Sequence, residues 1–296
     1  MKQTKTNSIN SVRRKKFNPI PYLFIAPTMI SICVFSFYPF IRNIWLSLNI
    51  SDNVGGAAKY VGTYNYEKIL KSGELLESFR DTINYASCIC IGTLILALVL
   101  SFLCAKGGKG SSVYQTMYAL PIAISSVPIS IVVEFVFSRY GMMNEILGTD
   151  KIWLEGMSRF VIVVLIVCWC NMGSSFIYLL VGFRNVPEEL IESAELDGAN
   201  GVTKFFKLYL PLASPQIFYV VFLNITSAFK SFTMIKLLAG TNADYLKTFS
   251  SRIYQYGFAG VARFEMACVF SILLCIVIFL VTRIQFAVED KVVFYQ

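Results

Sequence analysis

Two stripes of amide and hydroxyl side chains are the residues of this sequence best suited to chemistry, and that chemistry is hydrogen bonding to a polar solute. Each stripe recurs at three- and four-residue steps, which places its members on one helix face. Amides and hydroxyls supply the donors and acceptors that a sugar requires. Small polar residues also join membrane helices to one another, so this alternative stays open. The candidate solute-path residues are Asn171, Ser174, Ser175 and Tyr178 in one stripe, and Asn224, Ser227 and Ser231 in the other.

Bond-making catalysis has little support in the sequence. It contains no histidine, and its eight cysteines all fall within long apolar runs. In the C-x-C pairs, helical geometry turns the two side chains about 200° apart, which does not form a metal site. The glycine-rich segment 107–110 lacks the first glycine and the hydroxyl residue of a phosphate-binding loop. We therefore expect no metal, no cofactor and no enzymatic activity in this chain.

The composition predicts an all-α membrane protein with six transmembrane helices. Hydrophobic residues make up 56% of the 296 residues and charged residues only 15%, against roughly 25% in soluble domains. Six apolar runs reach the ~20 residues that a helix needs to cross a hydrocarbon core. The predicted spans are Tyr22–Leu48, Thr82–Ala105, Val113–Phe137, Phe160–Phe183, Leu212–Leu238 and Phe264–Phe286.

The net charge of +8 indicates membrane orientation rather than nucleic-acid binding, because no soluble domain carries it. A basic cluster at residues 13–16 precedes the first span, and such clusters are retained in the cytoplasm. The apolar run after it is too long for a signal peptide and lacks a cleavage site, so we expect an uncleaved anchor. All Lys and Arg together, the cluster included, divide equally between the two sides, so the dense cluster beside the first span decides the orientation. We therefore expect a basic cytoplasmic tail (1–20), a membrane domain (21–296) and both termini in the cytoplasm.

A charged segment, residues 185–211, separates the fourth apolar run from the fifth. Asn185 is predicted to cap a helix with an acidic first turn. Gly198 is predicted to end this helix, because glycine adopts the left-handed conformation without strain. A second short helix, Val202–Leu210, is predicted to close at Pro211. The segment is thus expected to form a cytoplasmic hairpin that another protein could grip.

The same hairpin resembles the EAA loop of binding-protein-dependent ABC importer permeases. The run ESAELDGA, residues 192–199, is similar to the version in the carbohydrate-uptake branch, of maltose and glycerol-3-phosphate type. Ser193 replaces the usual alanine. The resemblance covers nearly the whole chain beyond the basic tail, and it implies the MetI-like type I ABC importer permease fold. It also implies that the ATPase-coupling residues are Glu192, Ser193, Ala194, Asp197, Gly198, Ala199, Leu210 and Pro211.

One departure from the family pattern lies after the fifth span. The chain has Ala239-Gly240-Thr241 where Gly-Gly-Pro is common in the family. The outer loop at this point should face the solute-binding protein, and its geometry does not follow from the resemblance.

The resemblance also implies what the chain works with in the plasma membrane of a bacterium. It implies a second, similar permease subunit, an ABC ATPase dimer that binds ATP and Mg, and an extracytoplasmic solute-binding protein. Lipid should surround the spans, and no nucleic acid is expected. A sugar or sugar derivative is the expected cargo, with glycerol-3-phosphate, a polyamine or a phosphonate as alternatives. An ion-coupled carrier is less well supported, because Glu134 is the one clear membrane carboxylate.

Two further expectations concern the spans themselves. Glu134 and Lys230 are predicted in the same leaflet, where they would pair or line the outer vestibule, or where Lys230 would reach for the headgroups. Pro121 and Pro128 are predicted to bend the third span, because proline removes a helix hydrogen bond.

Overall fold

The computed structural model describes residues 20–52, 55–105, 107, 110–238, 246–259 and 262–293. The basic cluster at 13–16, the departure at 239–241 and residues 108–109 of the glycine-rich segment lie outside the described residues. The chain divides into two units after Trp45, and each is described separately.

The described part of the first unit is a single helical rod. Helix α1 (Ile20–Ile32) continues through a π-turn (Cys33–Phe37) into α2 (Tyr38–Ser47), which extends just past the unit boundary. The rod spans 28 residues, and those of its apolar side chains that belong to the first unit are largely exposed. Both properties suit a helix that is surrounded by lipid.

The second unit begins with a small antiparallel sheet. Strand β1 (Asn49–Ser51) pairs with β2 (Ala57–Tyr60) and is followed by the short helix α3 (Tyr64–Lys71). The buried amide of Asn65 in α3 donates to the carbonyl oxygens of Ser47 and Asn49 at 2.9 and 2.8 Å. This side chain therefore fixes α3 against the start of the sheet.

Twelve further helices complete the described chain. They are α4 (Glu74–Ala105), α5 (Ser111–Ala119), α6 (Ser126–Phe137), α7 (Met142–Leu147), α8 (Gly156–Arg184), α9 (Glu188–Leu196), α10 (Gly201–Lys204), α11 (Leu210–Leu212), α12 (Ser214–Lys230), α13 (Thr233–Leu238), α14 (Phe249–Phe258) and α15 (Phe264–Val292).

Four of the six predicted spans are uninterrupted helices, and two are broken. The uninterrupted ones, Ile20–Ser47, Glu74–Ala105, Gly156–Arg184 and Phe264–Glu289, are long and apolar enough to cross a membrane. Each of the other two predicted spans is divided between two helices.

The third span breaks where Pro121 lies. A 3₁₀ segment (Leu120–Ala123) separates α5 from α6, and the parts Ser111–Ala123 and Ser126–Leu147 meet at 97°. The prediction that proline bends this span is therefore confirmed for Pro121. Pro128 lies in the first turn of α6, where the missing N–H has no helical partner to lose.

The prediction of one continuous fifth span, Leu212–Leu238, is wrong. Helix α12 ends at Lys230, and the backbone of Ser231 is extended before α13 begins. The Ser231 hydroxyl pairs with the Tyr85 hydroxyl at 3.1 Å, and α13 packs on α6, where Ser130 contacts Met234. Because apolar residues continue across the break, hydropathy alone does not reveal it.

Two π-turns have the same physical cause. Cys33–Phe37 and Phe205–Tyr209 each precede a proline by two residues, at Pro39 and Pro211. A proline ring clashes with the carbonyl group four residues earlier in an α-helix. Bonding from the residue after each turn to the carbonyl five residues back widens the helix and makes room for the ring.

Helices α4 and α8 pack along much of their length and form the centre of the second unit, with α12 against both. The break of the third span rests on α8 at Gly173. A Cβ atom at Gly173 would lie 2.8 Å from Ile122 Cγ1 and 3.2 Å from the Ala119 carbonyl oxygen. Glycine is therefore required by this close approach.

Candidate coupling hairpin and solute path

The first helix of the hairpin, α9, ends in a Schellman turn at Gly198. The φ angle of Gly198 is +76°. Its N–H donates to the Glu195 carbonyl at 3.0 Å, and the Ala199 N–H donates to the Ala194 carbonyl at 2.9 Å. These two bonds define the motif and satisfy carbonyls that the helix end would leave unpaired. The predicted helix stop is confirmed.

The start of α9 differs from the prediction. Asn185 does not cap it, because α8 runs to Arg184 and Asn185 closes the last turn of α8. Pro187 takes the N-cap position, and its extended ψ of 133° turns the chain from α8 into α9. Glu188 and Glu189 do lie in the first turn, where the helix dipole favours negative charge.

The second helix of the hairpin is longer than predicted. The Asn200 side chain caps α10 by accepting a hydrogen bond from the Thr203 N–H at 2.8 Å. The chain then passes through the second π-turn into α11, so helix extends beyond the predicted Val202–Leu210. Pro211 does not close it, because the preceding π-turn accommodates the ring and α11 ends at Leu212.

A salt bridge joins the two arms of the hairpin. Lys204 Nζ in α10 lies 2.5 Å from Glu195 Oε1 in α9. The Lys204 side chain is only 6% exposed, whereas that of Glu195 is 52% exposed. The bridge therefore fixes the angle between the arms. It also engages Glu195 within the hairpin, whereas Glu192 lies on the exposed surface.

An aromatic cluster anchors the hairpin to the membrane helices. Phe205 and Tyr209 of the hairpin meet Phe102 near the end of α4, with ring centroids 4.8 and 5.1 Å apart. Phe183 of α8 meets Tyr209 at 5.7 Å. All these pairs have edge-to-face geometry, which is favourable beyond area burial alone. Ala213, fully buried beside the cluster, connects the hairpin to α12. The hairpin is therefore packed against α4 and α8 and continuous with α12.

The residues predicted to couple to an ATPase surround the bend of the hairpin and its second arm. Of these, Glu192, Ser193, Asp197, Gly198 and Pro211 are exposed, and Ala194, Ala199 and Leu210 are half-buried. Large apolar side chains that we did not single out are also exposed here, at Leu196 (90%), Val202 and Phe206. Their position in an otherwise charged loop was the feature of the sequence that could have indicated an exposed apolar surface. Apolar groups rimmed by charge are typical of protein interfaces.

The two predicted solute-path stripes meet, and two of their members bind each other. Asn224 Nδ2 donates to Ser175 Oγ at 3.0 Å, and both side chains are buried. This is the alternative role of small polar residues, a hydrogen bond between membrane helices. The pair joins α8 to α12 and does not face open space.

Three other members of the stripes line a common cavity of about 250 Å³. Asn171 of α8 lies there with Ser227 of α12 and with Ser231. Lys230, which ends α12, lines the same cavity. The hydroxyl of Ser231 is held by that of Tyr85 on α4. Sequence reasoning did not single out Tyr85 for this role, because its contact is formed only in three dimensions.

The remaining two members lie elsewhere along α8. The Ser174 hydroxyl donates to the Asn171 carbonyl within the helix, at 3.1 Å. The Tyr178 ring meets Tyr219 of α12 edge-to-face, with centroids 5.0 Å apart. The stripe on α8 is thus divided among a cavity, a helix–helix contact and an aromatic pair.

The predicted ion pair between Glu134 and Lys230 is not present among the described residues. Neither Glu134 nor Lys230 takes part in an ion pair with another described residue. Glu134 is exposed on α6, and Lys230 lines the cavity. Lys230 is also exposed, so a vestibule-lining position and contact with the lipid headgroups both stay predictions for it.

The fold and these two sites define a membrane-embedded transport subunit. The family model of the binding-protein-dependent transport system inner membrane component matches residues 97–293, and the chain belongs to this family. It is a permease subunit of a binding-protein-dependent ABC importer. Its likeness to a permease was predicted from the hairpin motif, and that recognition is confirmed.

Curated relatives are similar over almost the entire chain. The sn-glycerol-3-phosphate transport system permease protein UgpA of Yersinia enterocolitica is 30% identical over 285 residues, which are 94% of this chain and 96% of the relative. The UgpA protein of Salmonella typhimurium is 27% identical over 285 residues, again 94% of this chain and 96% of the relative.

Solved structures share the fold. A chain of a bacterial ABC transporter that imports the acidic polysaccharide alginate superposes with a TM-score of 0.83 and 19% identity, covering 92% of this chain and 96% of that one. A chain of a bacterial alginate ABC transporter bound to its periplasmic protein and alginate pentasaccharide has a TM-score of 0.81 and 20% identity, with 92% and 94% covered. The predicted all-α permease fold is therefore confirmed.

Proposed function

We propose that this chain forms half of the membrane pathway of an importer for a sugar or sugar derivative, and that ATPase motion enters it through the hairpin. A second permease and an ABC ATPase dimer would complete the complex, and a solute-binding protein would deliver the cargo. Glycerol-3-phosphate in the curated relatives and alginate in the solved structures support the cargo class.

One observation carries the proposal: the hairpin is exposed at its bend and firmly packed at its base. The bend offers Glu192, Ser193 and Gly198 to a partner, while Phe205 and Tyr209 connect the base to α4 and α8. A displacement of the bend would therefore move the spans with it. This arrangement suits a lever between an external motor and a pathway.

The source of energy lies outside this chain. Hydrolysis of ATP needs a phosphate-binding loop, and the sequence has none with the required residues. We assign ATP and Mg to the partner ATPase, and to this chain a transport role without its own catalysis.

The proposed orientation places both termini and the hairpin in the cytoplasm. It can be tested with single cysteines in a cysteine-free background and a membrane-impermeant maleimide. Tyr140→Cys, at a side chain 92% exposed at the opposite end of the unit, should be labelled in intact cells. Ser193→Cys should be labelled only after permeabilisation, and its labelling in intact cells would reverse the orientation.

The proposed solute path runs past the cavity of Asn171, Ser227 and Ser231. These groups can donate to and accept from the hydroxyls of a sugar. A polyamine would instead need carboxylates, and none of the described residues that line this cavity is acidic. The lining therefore favours a sugar or sugar derivative over a cationic cargo.

The test of the coupling role exchanges two glycines of the hairpin for valine. A Cβ atom at Gly198 or at Gly201 would meet no atom within 4 Å, but only Gly198 has a positive φ. Gly198→Val should therefore distort the bend at a cost of at least about 1–2 kcal/mol, whereas Gly201→Val, the matched control, should not. We expect Gly198→Val to lose most cargo uptake while the complex still inserts into the membrane. Uptake at the wild-type rate in that variant would contradict the coupling role.

A further inference from the structure

A lysine stands among the hydrogen-bonding residues of the solute cavity. Lys230 lines this cavity with Asn171, Ser227, Ser231 and Thr233. These residues come from α8, from the last turn of α12, from the short connection after it and from the start of α13. The cavity therefore combines one cationic group with several neutral donors and acceptors.

No counter-charge is supplied to Lys230 by the described part of the chain. Its ammonium forms no hydrogen bond or salt bridge with any described residue, and the described lining of the cavity includes no carboxylate. Two buried cations of the chain are paired, since Lys204 binds Glu195 and Arg252 binds Glu77, whereas Lys230 is exposed. Lys230 is the last residue of α12, which belongs to a candidate membrane span, and ionisable residues of such spans often mark solute pathways.

The neighbours of Lys230 are arranged for recognition and not only for helix packing. Tyr85, fully buried, fixes the Ser231 hydroxyl at 3.1 Å, directly after Lys230 in the chain. Asn171 contributes an amide from the opposite helix. The helix-joining task is already performed deeper in the bundle by the Ser175–Asn224 pair. The polar groups of the cavity thus remain open to a ligand.

We propose that Lys230 makes the path selective for a sugar derivative that carries a negative charge, as a carboxylate or a phosphate. An ammonium binds anionic oxygens through charge-assisted hydrogen bonds, which are stronger than neutral ones. The hydroxyl and amide groups beside it bind the hydroxyls of the same cargo. The inference rests on the proposed function, and it adds the charge of the cargo.

A lipid phosphate could supply the same chemistry if Lys230 extended to the headgroups. A headgroup would not explain the hydroxyl and amide groups that share the cavity with Lys230. The structure therefore favours the cargo as the source of the anion, and the experiment separates the two sources.

The experiment measures uptake by cells that contain the whole importer. The probes are radiolabelled pairs that differ in charge: glycerol with sn-glycerol-3-phosphate, and neutral with uronic-acid disaccharides. We expect the wild type to take up the charged member of one pair in preference to the neutral one. Uptake of a neutral member alone would overturn the role of Lys230 and leave the proposed sugar importer standing. Uptake of no probe would count against both.

Variants at Lys230 then test the residue itself. Lys230→Gln should lower the preference for the charged member about ten- to hundred-fold, the effect of a lost charge-assisted hydrogen bond. Lys230→Arg should keep the preference. The matched control is Lys236→Gln. Lys236 lies on α13, outside the described lining of the cavity, and its ammonium packs over the ring of Tyr254. A merely structural role would lower uptake of both members equally, and that result would overturn the proposal.

Vesicles identify the source of the anion. The importer is reconstituted into phosphatidylcholine alone and into phosphatidylcholine with phosphatidylglycerol. The loss caused by Lys230→Gln should be equal in both, because the cargo supplies the charge. A loss confined to the vesicles with anionic lipid would assign Lys230 to the headgroups and refute selection of cargo by this residue.

Discussion

The two ends of α4 are attached to their neighbours by opposite kinds of contact. At the C-terminal end, Phe102 joins the aromatic cluster that carries the hairpin. At the N-terminal end, Glu77 binds Lys247 and Arg252 at 2.9 Å each. One junction is apolar and continuous with the packed core. The other is an ionic network at the opposite end of the helix.

The difference matches the mechanical demands on each end. An apolar junction is densely packed, so it transmits displacement with little compliance. An ionic junction can exchange its partners for water and ions, so it can separate and re-form. The hairpin should therefore move together with α4 and α8, whereas salt should weaken the ion pairs at the other end of α4.

The largest expected effect comes from breaking the apolar junction. Phe183 is 1% exposed and contacts the rings of Phe102, Phe205 and Tyr209. Phe183→Ala should destabilise the protein by about 3–5 kcal/mol, because it leaves a cavity among these rings. Thermal unfolding of the purified protein in detergent measures the loss.

The matched control for this change is Phe206→Ala, on the π-turn that carries Phe205 and Tyr209, at a side chain that is 62% exposed. It should change stability by less than about 1 kcal/mol, because little packing is lost. Equal effects of the two substitutions would mean that the cluster does not hold the hairpin.

A smaller effect is expected at the ionic junction. Glu77→Gln keeps the size of the side chain and removes the charge shared by Lys247 and Arg252. The Arg252 side chain is 8% exposed and Glu77 is one-third exposed, so we expect a loss of about 2 kcal/mol.

Salt should separate the two junctions further. Raising the ionic strength should lower the stability of the wild type and leave Glu77→Gln less affected, because salt screens the contacts of the partly exposed network. Stability of Phe183→Ala should follow salt as the wild type does. A salt response that is the same in the wild type and Glu77→Gln would refute an electrostatic junction.

Much of this architecture follows from the sequence, because lipid imposes long apolar helices and few alternatives. The apolar runs located the four uninterrupted spans, and Gly198 after Asp197 located the bend of the hairpin. Predictions from neighbouring residues were wrong where contacts with distant parts of the chain determine the end of a helix. Asn185 is of a residue type that often caps the start of a helix, but in the structure it closes the last turn of the preceding helix, α8.

The solute path was harder to predict than the hairpin. Periodicity placed Ser175 and Asn224 on inward faces, but it did not show that they bind each other. It also did not show that the fifth span stops at Lys230, because that break depends on Tyr85, far away in sequence. Hydrogen bonds between helices determine which polar groups face a cavity. The residue pattern of one helix carries no information about these bonds.

The smallest expected effect comes from the edge of the ionic junction, at Tyr256 of α14. Its hydroxyl donates to the Glu74 carboxylate at 2.6 Å. Burial, and then the hydrogen bond to Glu74, raises the pKa of Tyr256 from 10.0 to about 12. Because the folded pKa exceeds the unfolded one, this contact stabilises the protein fully below about pH 10, and its contribution is lost as the pH rises through about 12.

Tyr256→Phe should therefore cost about 1 kcal/mol at neutral pH, and the gap to the wild type should close in strong alkali. Thermal unfolding of both proteins across the alkaline range measures the gap. The variant should leave the salt response of the Glu77 network intact, since Lys247 and Arg252 keep their shared carboxylate. The absence of a gap at neutral pH would show that Tyr256 supports α14 by packing on Phe270, whose ring centroid lies 5.7 Å away and which the variant preserves, and not through its hydroxyl.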